Sequence, residues 1–177
     1  MDGSRNKSSG KSIYWLSGGG LSPVIAASRP ETLLKLAREI ASRQADFHAV
    51  KGPGAGDHAT NQYMAELRRA ATESFLVDLS EFRGCGETSL AADFYFPEEA
   101  VLVEVALGLP NPNTEFEKDI LKALMTKELG HRVERLLFVS RPGACKKCSQ
   151  PGRKAMVDWV FEKHAIRVEV HELNGEQ

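Results

Sequence analysis

No apolar run in this chain approaches the ~20 residues that a membrane-spanning helix requires, so no membrane partner is expected. The polar start Met1-Asp2-Gly3-Ser4-Arg5-Asn6-Lys7 has no apolar signal-peptide core behind it, and a cytoplasmic location is the expectation. Cysteine is scarce. Cys85, Cys145 and Cys148 make an odd set of three, which argues against a disulfide framework and for reduced thiols. An excess of charge of one sign is also lacking: the net charge is −1, so overall charge says little about partners. Internal repeats are absent as well.

What is present is ordinary globular composition, 42% hydrophobic and 27% charged over 177 residues, enough for one domain with a sizeable core. Residues 1–28, rich in Ser, Gly, Lys and Arg at their start, are expected to form a flexible arm, and 29–177 a single domain. Pro30 and the spacing of Leu33, Leu34, Ala37, Ile40 and Ala41 predict a helix ending near Gln44. After the turn Gly52-Pro53-Gly54-Ala55-Gly56, Asp57 or Thr60 is a candidate cap for a second helix, marked by Tyr63, Met64, Leu67, Ala70 and Ala71.

Three runs then predict strands: 74–79, 91–96 and 101–107. Thr114 and Glu117 have the spacing of a capping box for a helix running to about Lys127. A strand over 135–140, a helix over 154–163 and a strand over 166–170 complete the reading. From residue 60 the order is α-β-β-β-α-β-α-β. That order implies an α/β fold: an antiparallel hairpin followed by crossover-connected strands, in a mixed sheet flanked by helices.

The hairpin carries the chemistry. A tight loop over Pro97-Glu98-Glu99-Ala100 pairs Phe96 with Val101, and the same register sets Asp93 opposite Glu104. Residues directly opposite share a face with Cβ atoms ~4.5–5.5 Å apart. Two like charges that close, flanked by Phe94, Val103 and Val105, destabilise a sheet unless something neutralises them. A divalent cation does so, and oxygen-only ligation suits magnesium or manganese. The alternative is a solvent-facing acid pair at a sheet edge.

With Ala92-Asp93, Glu104-Val105-Ala106 and Glu66 on the preceding helix, the chain resembles the restriction-endonuclease-like nucleases, whose motif is written PD-(D/E)XK. The likeness spans roughly residues 60–172 and includes the order of elements. It implies a restriction-endonuclease-like fold and an Mg2+- or Mn2+-dependent endonuclease of restriction or repair type, with DNA rather than RNA as partner. A homodimer is compatible with this. Asp93 and Glu104 would be the metal-ligating carboxylates, the Val105 carbonyl a further ligand, and Glu66 an auxiliary acid. Where the family has lysine this chain has Ala106, which can neither orient nor deprotonate water. Some family members take that group from the neighbouring helix, and Lys118 is the candidate here. The other reading is a catalytically inactive member serving as a nucleic-acid-binding or assembly module.

Between Glu134 and Asp158 there is no acid. Arg141, Lys146, Lys147, Arg153 and Lys154 in that interval are therefore candidate nucleic-acid contacts, or else a solvated loop. Cys145 and Cys148 have the spacing of half a zinc site without a second half. Ser8-Ser9-Gly10-Lys11-Ser12 lacks the first glycine of a P-loop. His58, His131 and His164 have no triad partners in view. Trp159 and Phe161 are expected to pack the last helix.

Overall fold

Ser28 is extended, its hydroxyl accepts from the Glu31 N–H at 3.4 Å, and the Glu31 carboxylate accepts from the Ser28 N–H at 3.0 Å. This capping box, with Pro30 in the first turn, starts helix α1 (Arg29–Arg43). The computed structural model describes residues 27–44, 55–110 and 114–173. The expected arm over 1–28 lies outside them up to residue 26, as do the turn residues Gly52, Pro53 and Gly54 and the segment 8–12. Ser28→Ala removes the side-chain half of the box and is expected to cost ~1 kcal/mol, read as a lower denaturant midpoint at unchanged slope.

Helix α2 (Ala55–Phe75) is longer than the sequence predicts at both ends. Asp57 and Thr60 lie inside it rather than capping it, and Ser74 and Phe75 close it instead of opening a strand. Phe75 gains burial from the helix by meeting Phe96 edge-on, ring centroids 5.7 Å apart. Leu76 then turns left-handed (φ 58°) and stands exposed. The first strand, β1, is Ser80–Phe82 and lies wholly after the run 74–79 expected to form it.

Next come β2 (Ala92–Phe96), β3 (Val101–Val105), α3 (Glu115–Glu128), β4 (Arg135–Ser140), a short α4 (Ala144–Cys148), α5 (Pro151–His164) and β5 (Arg167–Glu172). Apart from α4, this is the order the sequence predicts. The strands form one five-stranded sheet in the order β1-β2-β3-β4-β5. β2 runs antiparallel to both neighbours, while β3, β4 and β5 are mutually parallel. The expected capping box at the head of α3 is not formed: Thr114 is not extended (ψ 9°) and its side chain caps nothing.

Strand alternation sorts the core into two layers. Phe94, Phe96, Val101, Val103, Val105, Leu137 and Val139 face α1 and α2, packing on Leu33, Ile40, Tyr63 and Leu67. Tyr95, Leu102, Ala106, Leu136 and Phe138 face the other way, onto Phe116, Ile120 and Ala123 of α3 and Val160 of α5. The molecule is thus a mixed sheet flanked by helices. On α5, Trp159 and Phe161 do not pack inward as expected; they are 46% and 54% exposed. Val160 takes the buried position between them.

Candidate functional site

The β2–β3 hairpin has the register read from the sequence: Phe96 pairs with Val101, Tyr95 with Leu102 and Phe94 with Val103. The four-residue turn closes with the Ala100 N–H donating to the Pro97 carbonyl, and Ala100 adopts φ 55°. An even loop keeps the pleats in phase. The next pair in that register is Asp93 with Glu104, and by alternation both side chains belong to the face covered by α3.

There they meet two charged residues of α3. Lys122 Nζ lies 2.8 Å from Glu104 Oε2 and 2.8 Å from Asp119 Oδ1. All three side chains are buried. Glu104 is 1% exposed, yet its second oxygen, Oε1, has no hydrogen-bond partner. A buried carboxylate oxygen left without a donor is costly. Asp93 Oδ2 accepts from the Val105 N–H at 2.8 Å, and its Oδ1 lies 3.7 Å from Arg68 of α2. Arg68 also holds Glu81 at 2.6 Å.

Burial raises the pKa of Asp93, Glu104 and Asp119. For Glu104 the shift is large, because Asp119 and Asp93 add like-charge repulsion to its desolvation. Burial works against the charge of Lys122 too, but the adjacent Glu104 and Asp119 carboxylates outweigh it and hold the ammonium above its ordinary value. One firmly protonated lysine thus serves three acids whose ionisation the site resists.

A cavity of about 400 Å³ opens onto this group. Its walls are Thr60, Asn61, Met64, Ala65 and Arg68 from α2, Asp93, Glu104 and Val105 from the hairpin, and Glu115, Lys118, Asp119 and Lys122 from α3. Of the residues singled out from sequence, Asp93, Glu104, Val105 and Lys118 are brought together. Lys118 reaches the wall of the cavity, but the ammonium in contact with Glu104 belongs to Lys122, one turn further along α3. Glu66 is not brought in. Asn61, Met64, Ala65 and Arg68 mark the helical face that lines the cavity, and Glu66 falls off it, accepting from Gln44 at 3.1 Å with Arg43 at 3.8 Å.

Ala106 is buried against the α3 layer, and its carbonyl accepts from the Ser140 hydroxyl at 2.6 Å. Just past the end of β3, residue 106 has a packing role, while the ammonium beside Glu104 comes from α3.

The basic interval has other tasks, and none of its five candidate contacts lines this cavity. Arg153 donates to the Leu109 carbonyl at 3.1 Å and lies 4.9 Å over the Phe116 ring. Lys154 pairs with Asp158 at 2.6 Å. Burial lowers the pKa of Arg141. Lys146 and Lys147 sit on α4. Cys145 and Cys148 line a separate cavity beside Val168 and Val170. Burial raises both thiols above their usual value, so neither is poised as a thiolate. His131 stacks edge-on against Phe82, and His164 lies 4.0 Å from Glu128.

Sequence reasoning missed Asp119, Lys122 and Arg68. The signal for the α3 pair was available: Phe116, Ile120 and Ala123 set the inward phase of that helix, and 119 and 122 fall on the same stripe. Charged residues at core phase need a partner. Among the described residues, no cluster of three or more His, Cys, Asp and Glu side chains is arranged to hold a metal by itself. Compared with known proteins, the chain matches no family model, no curated protein and no solved structure.

Proposed function

We propose that the cavity between α2, α3 and the hairpin is the site of a metal-dependent nuclease that hydrolyses phosphodiester bonds, with DNA as substrate and a restriction-endonuclease-like fold as scaffold. The observation that carries this reading is the unsatisfied Oε1 of Glu104, a buried carboxylate that lines a polar cavity together with Asp93.

The donor set fits a hard divalent cation. On the hairpin, Glu104 Oε1 and Asp93 Oδ1 accept no hydrogen bond among the described residues, with Arg68 3.7 Å from Asp93 Oδ1, and the Val105 carbonyl is the third proposed ligand. Two carboxylates and a carbonyl leave positions for water and phosphate oxygens, which is how magnesium is commonly held. When bound there, magnesium or manganese supplies acidification of water and stabilisation of charge on the phosphate and leaving oxygen.

The chain's own residues do the rest. The Val105 N–H fixes Asp93, and Asp119 fixes Lys122. Lys122 stays protonated, so it is no general base; it acts as a fixed positive charge that orients water or a phosphate oxygen beside Glu104. This is the function expected of Lys118 from sequence, moved one turn along the helix. Lys118, exposed on the cavity wall, is left to meet the substrate.

The test is incubation of the full chain with supercoiled and linear DNA in Mg2+ or Mn2+, with EDTA as control. Metal-dependent cutting is the expected result. Binding without cutting at any metal concentration would instead identify a catalytically inactive nucleic-acid-binding module, a reading that Ala106 alone favours. A second measurement needs no substrate. Manganese that binds only the folded state raises the thermal midpoint by mass action, ~2.7 kcal/mol at a hundredfold excess over its dissociation constant. Cation binding requires ionised carboxylates. With the pKa values of Asp93 and Glu104 raised, the manganese shift is expected to shrink as pH falls through those raised values. A shift independent of pH would place the cation elsewhere.

A further inference from the structure

A second cavity of about 370 Å³ shares Arg68, Asp93, Lys118 and Lys122 with the first and extends from them to Glu81, Arg83 and Ser89. We propose that this adjoining cavity holds a phosphate group of the bound nucleic acid strand, gripped by Arg83, Arg68 and Lys118, and so sets which bond reaches the acidic cavity. The proposal rests on the nuclease reading for its meaning but not for its test.

The charge on the walls points to an anion. Four cations face two acids there, and those acids are already engaged: Glu81 by Arg68 at 2.6 Å, Asp93 by the Val105 N–H at 2.8 Å. Lys122 is matched by Glu104 and Asp119. Arg83 and Lys118 take part in no ion pair among the described residues, and both are exposed to an incoming ligand. Arg68 keeps a buried Nε–H without a hydrogen-bond acceptor. Phosphate oxygens accept from guanidinium groups in charge-assisted, often bidentate bonds, and the Ser89 hydroxyl on the same wall is a further donor.

The same walls disfavour a base. Among the described residues, Leu90, Ala91 and Ala92 are the only apolar ones lining the cavity, and no aromatic side chain lines it to stack on a base. A phosphate is therefore read by charge, without regard to sequence. It comes from one of two sources, the terminal phosphate of a strand or an internal phosphodiester.

The experiment measures binding in EDTA, so that no cleavage occurs. The probes are 3′-labelled single-stranded oligonucleotides carrying either a 5′-phosphate or a 5′-hydroxyl, with the full chain, Arg83→Ala and Asp93→Asn. Arg83 is exposed and makes no ion pair among the described residues, so its replacement is expected to leave the fold intact. Arg83→Ala is expected to weaken binding several-fold and to reduce the slope of log affinity against log salt by about 1. Arg83→Lys should restore part of both. A preference for the 5′-phosphate that disappears in Arg83→Ala identifies a terminal phosphate as the ligand. Equal affinity for both probes, reduced alike, identifies an internal one. Unchanged affinity and salt slope in Arg83→Ala overturn the proposal. Asp93→Asn removes a proposed metal ligand but none of the three gripping cations, so it is expected to bind no more weakly than the full chain. Arg83-dependent binding by a full chain that cuts no DNA in Mg2+ or Mn2+ leaves the phosphate site standing while the nuclease reading falls.

Discussion

Replacing Lys122 by Met is expected to cost the fold about 3–5 kcal/mol near neutral pH, the range found when one partner of a buried ion pair is removed. Methionine keeps most of the volume, so the packing of α3 against the sheet is not the main loss. The loss is electrostatic: Glu104 and Asp119, each 2.8 Å from the ammonium and both buried, would face one another and Asp93 without a counter-charge.

The pH dependence identifies the cause. Carboxyl groups whose folded-state pKa lies above the unfolded value stabilise the fold fully below the unfolded pKa and lose that contribution as pH rises through the folded one. Glu104, Asp93 and Asp119 are already raised with Lys122 present; without it Glu104 and Asp119 rise further. The deficit of Lys122→Met should therefore be small near pH 4 and widen toward neutrality, as measured by chemical denaturation across that window. A deficit that stays constant over the window would mean that Lys122 acts through packing. Manganese should recover part of the loss in the variant, because a cation supplies the missing positive charge.

Asp93→Asn and Glu104→Gln are expected to remove DNA cleavage while leaving a folded protein. Each substitution keeps an oxygen acceptor for its existing donor, the Val105 N–H for residue 93 and the Lys122 ammonium for residue 104. What each removes is half of the negative charge that the hairpin would offer the proposed cation. A loss on the order of 10²–10³-fold in turnover or more is expected, since removing a single preorganised charge-stabilising contact has that effect. The manganese-induced rise in thermal midpoint should be lost in parallel. Cleavage that persists in both variants with the fold intact would show that the assigned site is not the one that cuts.

Stability separates the two acids further. Asp93 is partly exposed and Glu104 is not. Neutralising Glu104 relieves repulsion from Asp119 and Asp93 at the same time as it weakens the bond to Lys122, so these effects offset one another. Glu104→Gln should consequently be far less destabilising than Lys122→Met, although the same ion pair is broken. The asymmetry arises because three acids share one ammonium.

The acid pair was legible because everything that sets it is local. Period-two alternation, the apolar runs on either side and a four-residue loop together specify a register, and a slip by one would have turned Phe94, Phe96, Val101 and Val103 away from the α1 and α2 layer that receives them. Most helices follow from similarly local patterns, whereas β1 falls after the run 74–79 and β3 ends at Val105, two residues short of the expected run 101–107. Reading failed where burial overruled local preference. Phe75 continues a helix because Phe96 is there to receive it, and Thr114 does not cap because its backbone enters α3 from a non-extended conformation.

Sequence by itself determined the element order, the hairpin register and the convergence of Asp93 and Glu104, since short-range periodicity and sterics decide each of them. Only the tertiary structure decided which cation answers them. The rotation of α3 about its axis, set by Phe116, Ile120 and Ala123 packing on the sheet, turns Lys122 inward onto Glu104 and leaves Lys118 on the rim. The docking of α2 likewise brings Arg68 to Asp93 and carries Glu66 away. A helix's sequence says which residues share a face; the surface it packs against says where that face points.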